Sequence, residues 1–130
     1  MKLIVVIMSA AAITWSCDPM RRIRMKNYSG SEASVTWHIK EDSIHSSPFY
    51  LSNSRTQRFV LQPGDRINMS AGIGSWNKKN LAGIVDDLDS LVITWEEQEL
   101  VLSDPREIHT YLFARRRGLD KAKIDLRMNK

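Results

Sequence analysis

Along most of this chain, apolar and polar side chains alternate with a period of two, and that pattern limits the fold more than any other feature. Ile23 and Met25 alternate with Arg22, Arg24 and Lys26, and Val35, Trp37 and Ile39 alternate with Ser34, Thr36, His38 and Lys40. Phe59 and Leu61 share a face between Thr56 and Gln62, and Ile67 and Met69 share one between Asp65 and Ala71. Leu91, Ile93 and Trp95 do the same from Ser90 to Glu96, and a further run covers Glu99 to Leu102. The chain closes on Ile124, Leu126 and Met128 set against Lys123, Asp125 and Arg127. Successive side chains of a strand point to opposite faces, so each run predicts a strand with one dry and one wet side.

The segments between the runs carry turn chemistry. Asn27 to Ser31 predicts a tight connection and hence an antiparallel hairpin of the first two strands, and Pro63-Gly64 predicts a second turn. Glu97-Gln98 predicts another hairpin, and Glu41 to Pro48 reads as a loop before a short edge strand at Phe49-Tyr50-Leu51. The tripeptides Val35-Thr36-Trp37 and Ile93-Thr94-Trp95 stand in the same strand phase, which predicts core tryptophans facing each other across two layers.

Two stretches read as helices. Leu81, Ile84, Val85 and Leu88 fall at helical spacing after a capping Asn77, although Lys78 and Lys79 stand at the positive end of the helix dipole and Asp86 and Asp87 at the negative end. Asp104-Pro105-Arg106-Glu107 combines an N-cap, a first-turn proline and an acidic third position; Ile108, Tyr111 and Leu112 give the buried stripe, and Gly118 ends the segment after Arg115 to Arg117. The expected fold is therefore mainly β: an antiparallel β-sandwich of seven to eight short strands with one or two short helices. An open antiparallel sheet covered by both helices, an α+β arrangement, is the alternative.

The first sixteen residues have a different character. Lys2 is followed by an uncharged, mainly apolar run from Leu3 to Trp15, then by Ser16, Cys17 and the charged Asp18, which is the order of a secretory signal. The apolar run is too short for a membrane-spanning helix, which needs roughly 20 residues. Ile13-Thr14-Trp15-Ser16-Cys17 resembles the lipobox of bacterial lipoproteins, in the loose form found in Bacteroides-type bacteria, with Thr14 and Trp15 departing from the usual pattern. The resemblance implies lipidation of Cys17, a membrane anchor and a place in the envelope of a Gram-negative bacterium, at the outer membrane or its periplasmic face. Thr14 and Ser16 equally suit an ordinary signal peptidase, which leaves a soluble periplasmic or secreted chain beginning at Cys17. Residues 1–16 are thus expected to be a signal peptide, 17–19 a lipidated cysteine with a short tether, and 20–130 one β-rich domain.

Cysteine usage fits that division. Cys17 is the only cysteine, so no internal disulfide exists and the domain must hold itself together by its core. A chain of this length buries well over half of its unfolded surface, enough for such a core. Without residues 1–16, whose one charge is Lys2, the formal net charge falls from +4 to +3, an ordinary balance that does not ask for a nucleic-acid partner.

Candidate functional residues are few. Arg22, Arg24 and Lys26 form a basic stripe close behind Cys17 and suit a membrane surface; Arg115, Arg116 and Arg117 suit an acidic or phosphate-bearing envelope component or an envelope protein; Trp76, after the glycine-rich bend Gly72-Ile73-Gly74-Ser75, suits either ligand stacking or a core plug packed over a sheet edge. Glu41, Asp42 and His45, and likewise Asp86, Asp87 and Asp89, match no metal-ligand spacing, so neither a metal nor a cofactor is expected. His38, His45 and His109 lack the signature motifs of a hydrolase. The expectation is a non-enzymatic accessory or binding module, with an envelope hydrolase and an assembly subunit of a surface or secretion machine as the other readings.

Overall fold

The computed structural model describes residues 19–41 and 54–129. Cys17, the apolar leader, Asp42, His45 and the Phe49-Tyr50-Leu51 run lie outside the described residues. The elements follow in the order β1 (Met20–Asn27), β2 (Ala33–Ile39), β3 (Thr56–Leu61), β4 (Arg66–Ile73), α1 (Lys78–Val85), β5 (Leu88–Trp95), β6 (Gln98–Leu102), α2 (Pro105–Phe113), β7 (Arg116–Arg117) and β8 (Lys123–Met128). They build a β-sandwich of two four-stranded sheets. Sheet A has the order β4-β1-β8-β7 and sheet B the order β3-β2-β5-β6.

The inward residues of both sheets meet in one core, with Ile23, Met25, Ile124 and Leu126 from sheet A against Val35, Trp37, Leu91 and Ile93 from sheet B. Leu81 and Val85 of α1 and Ile108 and Leu112 of α2 add their apolar stripes to it. Both helices are capped as their sequences require. Asn77 and Asn80 exchange side-chain and backbone hydrogen bonds at 2.8 and 2.9 Å, and the Arg106 backbone N–H donates to the Asp104 carboxylate at 2.8 Å. No helix among the described residues is long and apolar enough to cross a membrane.

Several connections differ from the sequence expectation. β1 and β2 do not pair as a hairpin; they lie in different sheets, because the buried Asn27 side chain organises a corner. Its amide donates to the carbonyls of Ser31 and Leu61 at 2.7 and 2.9 Å, and its oxygen accepts from the Ser29 N–H and hydroxyl. Pro63-Gly64 makes a turn that also changes sheets, with the Asp65 N–H donating to the Gln62 carbonyl at 2.9 Å and Gly64 at φ 87°, a conformation that favours glycine. The β5–β6 hairpin turns on Glu96 and Glu97, one residue earlier than expected, both at positive φ. Trp37 and Trp95 sit on adjacent strands of the same sheet, Trp37 opposite Leu91 and Trp95 opposite Ala33, so they do not face each other across layers. One strand pair is parallel: β1 runs beside β8, residue for residue from Arg22 with Lys123 to Asn27 with Met128.

Candidate anion-binding surface

The outer face of sheet A follows from its register. Strand partners share a face, so three rows cross the sheet: Ser70, Arg22, Lys123 and Arg117; Asn68, Arg24 and Asp125; and Arg66, Lys26 and Arg127. Seven cations and one carboxylate thus occupy a single sheet face. The parallel β1–β8 pairing merges two patches that are about ninety residues apart in the chain, the Arg22-Arg24-Lys26 stripe and Arg117 of the arginine triplet.

Asp125 is the centre of this face, and its carboxylate is fully buried. Arg24 grips it with two bonds, Nε to Oδ1 at 3.1 Å and Nη2 to Oδ2 at 3.0 Å, while Arg127 Nε donates to Oδ2 at 2.7 Å. Burial pushes this carboxyl up, but the hydrogen bonds and charges of both guanidinium groups outweigh it, so its pKa lies below the ordinary carboxylate value. The hydrogen bond to Asp125 in turn raises Arg24 above its usual value, against an opposing effect of burial. Among the described residues the remaining ion pair is Arg55–Asp89 on sheet B, so Arg22, Lys26, Arg66, Arg117 and Lys123 have no carboxylate within ion-pair distance. The Lys26 ammonium stands 4.8 Å from the centre of the Tyr28 ring.

The arginine triplet divides its roles. Helix α2 ends at Phe113, earlier than expected, since Arg116 and Arg117 leave it to pair with Ile124 and Lys123 of β8. Arg116 turns inward: its guanidinium lies 3.5 Å from the Phe113 ring centre and donates to the Phe113 and Trp76 carbonyls at 3.1 Å each. Those contacts hold the half-buried Arg116 against α2 and the Trp76 backbone. Arg115 stacks 3.4 Å over Tyr111, whose hydroxyl pKa is raised by burial and only partly offset by the Arg115 charge. Arg115, Arg117 and Arg127 line a cleft of about 290 Å³ whose floor includes Asp125.

Trp76 does not present a stacking surface. Only 1% of it is exposed, and its ring N–H donates to the Arg22 carbonyl at 3.1 Å, so it plugs the end of the sandwich. Arg21 covers it at 5.5 Å, and the Arg21 guanidinium runs so close to Gly72 that a side chain there would collide with it. Gly72 also stands at φ 92°, a conformation that favours glycine.

The histidines are placed elsewhere. His38 lies on the outer face of sheet B, where Nδ1 bonds the Thr56 hydroxyl at 3.2 Å. It shares a cleft of about 370 Å³ with Ser90 and Asp89, and Asp89 is paired with Arg55 at 3.1 Å. His109 stacks on Phe113 at 5.7 Å and bonds the Lys78 carbonyl at 3.1 Å. Sequence alternation alone could not find Asp125 as a central residue, because in the linear pattern it looks like any outward position of a strand.

No family model, curated protein or solved structure matches this chain.

Proposed function

We propose that this chain is an exported envelope protein, anchored through a lipid on Cys17, that works as a non-enzymatic accessory or binding module and uses the outer face of sheet A to hold an acidic or phosphate-bearing envelope component. The observation that carries this reading is the gathering of seven cations around one buried carboxylate. Like charges directly opposite each other on neighbouring strands destabilise a sheet, and here Arg22–Lys123, Lys123–Arg117, Lys26–Arg66 and Lys26–Arg127 are all such pairs. Arg127 is held by Asp125 and Lys26 stands over Tyr28, but the facing cations still repel, and a polyanion laid on the face would relieve that repulsion. Asp125 supports the same use, since it pins Arg24 and Arg127 in place without neutralising the rest of the face.

The anchor and the surface are close along the chain. Two residues, Asp18 and Pro19, separate Cys17 from Met20, and the three peptide steps reach at most about 11 Å. The test is fatty-acid labelling together with fractionation. The parent chain should take up labelled palmitate and stay with membranes after a wash in about 1 M salt, which screens exposed charges to within roughly 3 Å. Cys17→Ala should do neither while keeping its fold. An unlabelled parent, or a variant that withstands the wash, overturns the anchor.

A further inference from the structure

At the end of sheet A where β1 and β8 begin and β4 ends, three large apolar side chains stand in solvent: Met20 is 56% exposed, Ile73 is 65% exposed, and Leu119 is fully exposed. Met20 and Ile73 are direct strand partners. Leu119 sits in the 118–122 connection, which opens at the same end because Arg117 pairs with Lys123. The three segments are tied together: the Gly74 N–H donates to the Pro19 carbonyl at 2.7 Å, the Trp76 N–H to the Lys121 carbonyl at 2.8 Å, and the Ser75 hydroxyl to the Asp120 carbonyl. The rim is therefore held in shape, and the row immediately behind it is Arg22, Lys123 and Arg117.

We infer that this rim is where the domain meets an anionic phospholipid bilayer, with Met20, Ile73 and Leu119 entering the boundary between headgroups and acyl chains and Arg22, Lys123 and Arg117 lying on the lipid phosphates. The inference deepens the anchored-module reading and rests on it for orientation. Single exposed apolar residues need no explanation, but three on one tied rim with a cationic row behind them form the amphipathic profile of an interfacial element. A soluble polyanion would satisfy the cations and leave the apolar rim in water. The short span from Cys17 brings the anchored end of the chain to this same edge.

Among the described residues one core cluster runs from Ile23 to Met128, so the chain from residue 17 onward carrying Cys17→Ala is a fair test object without any acyl group. It is floated with vesicles of phosphatidylcholine alone or of phosphatidylcholine mixed with phosphatidylglycerol. Binding should appear with the anionic vesicles and be weak or absent with the neutral ones. Arg22→Gln with Arg117→Gln and Lys123→Gln should weaken it about a hundredfold, from roughly fivefold per cation near such a surface. Ile73→Ser with Leu119→Ser should weaken it about tenfold, from the apolar area returned to water. Met20 is left in place because the Ser70 hydroxyl contacts its sulfur. Leu119→Trp provides a second readout, with fluorescence shifting to shorter wavelength on anionic vesicles only. Equal binding to both vesicle types, full binding by the charge variant, or full binding by the serine variant with no shift from the tryptophan overturns the proposal. Palmitate labelling reports the anchor alone and vesicle binding the rim alone, so either can fail without the other.

Discussion

The two sheets share one alternating design but differ completely in what they turn outward. The outer face of sheet B carries the rows Val60, Ser34, Thr94 and Glu99; Arg58, Thr36, Val92 and Val101; and Thr56, His38 and Ser90, with Ser34 itself buried. Apart from Glu99, Arg58 and His38, those side chains are hydroxyls and β-branched residues that suit a pleated surface, and Ser34 and Thr94 hydrogen-bond to each other across strands. Sheet A shows seven cations around one buried acid. Inward residues of the two sheets build one shared core; outward residues make one surface mostly uncharged and the other strongly cationic. The difference teaches that alternation encodes the sandwich, while the identity of the wet residues encodes what the sandwich is for.

The comparison can be broken most forcefully at its polar centres. Arg24→Met removes the two-bond partner of a fully buried carboxylate and should cost about 3 kcal/mol in chemical unfolding, whereas Ser34→Ala, which deletes the matching hydrogen bond of sheet B, should cost about 1 kcal/mol. Equal costs would mean that Asp125 is not the hub of sheet A. Next comes acid. The folded Asp125 has a lowered pKa, so its contribution is fully present above the unfolded carboxylate value of about 3.9 and is lost as pH falls through the lower folded value. Stability of the parent should therefore drop more steeply below about pH 4 than that of Asp125→Asn, and parallel curves would refute the ion-pair account. The smallest effect concerns the unmet charges. Arg117→Gln with Lys123→Gln relieves a direct like-charge pair and should raise stability by a few tenths of a kcal/mol at low salt, fading as salt is added, while Val92→Lys with Val101→Lys on sheet B should lower it by a similar amount.

Much of this architecture is legible in the amino acids, and the exceptions have physical causes. The inward set, from Ile23 and Met25 to Ile124 and Leu126, follows from period two because burial acts on every alternate residue. The α2 start at Asp104-Pro105 and the α1 cap at Asn77 are local, so local residues specify them. Pairing is another matter. Asn27 reads as a turn residue, and only its buried amide, bonded to Leu61 thirty-four residues later, makes the turn a corner between sheets. Asp125 looks solvated until Arg24 arrives beside it from the other end of the chain. Trp76 is open to two readings in the sequence, a stacking surface or a core plug over a sheet edge, and Arg21 and the ring N–H bond draw the indole into the core as the plug. For the candidate surface, the two basic clusters were readable singly, and their fusion needed the parallel register of β1 and β8.

That register also bears on how the chain comes to be folded. Arg24 and its acid lie 101 residues apart, and β8 is an interior strand of its sheet, flanked by β1 on one side and β7 on the other. A chain made from its amino end can form the β1–β4 pair early, but that pair keeps an unpaired edge and mutually repelling cations until β8 arrives. Loop-closure entropy makes such distant pairings slow to form. Completion of sheet A therefore waits for β8, and the sheet locks only when that strand slides between β1 and β7.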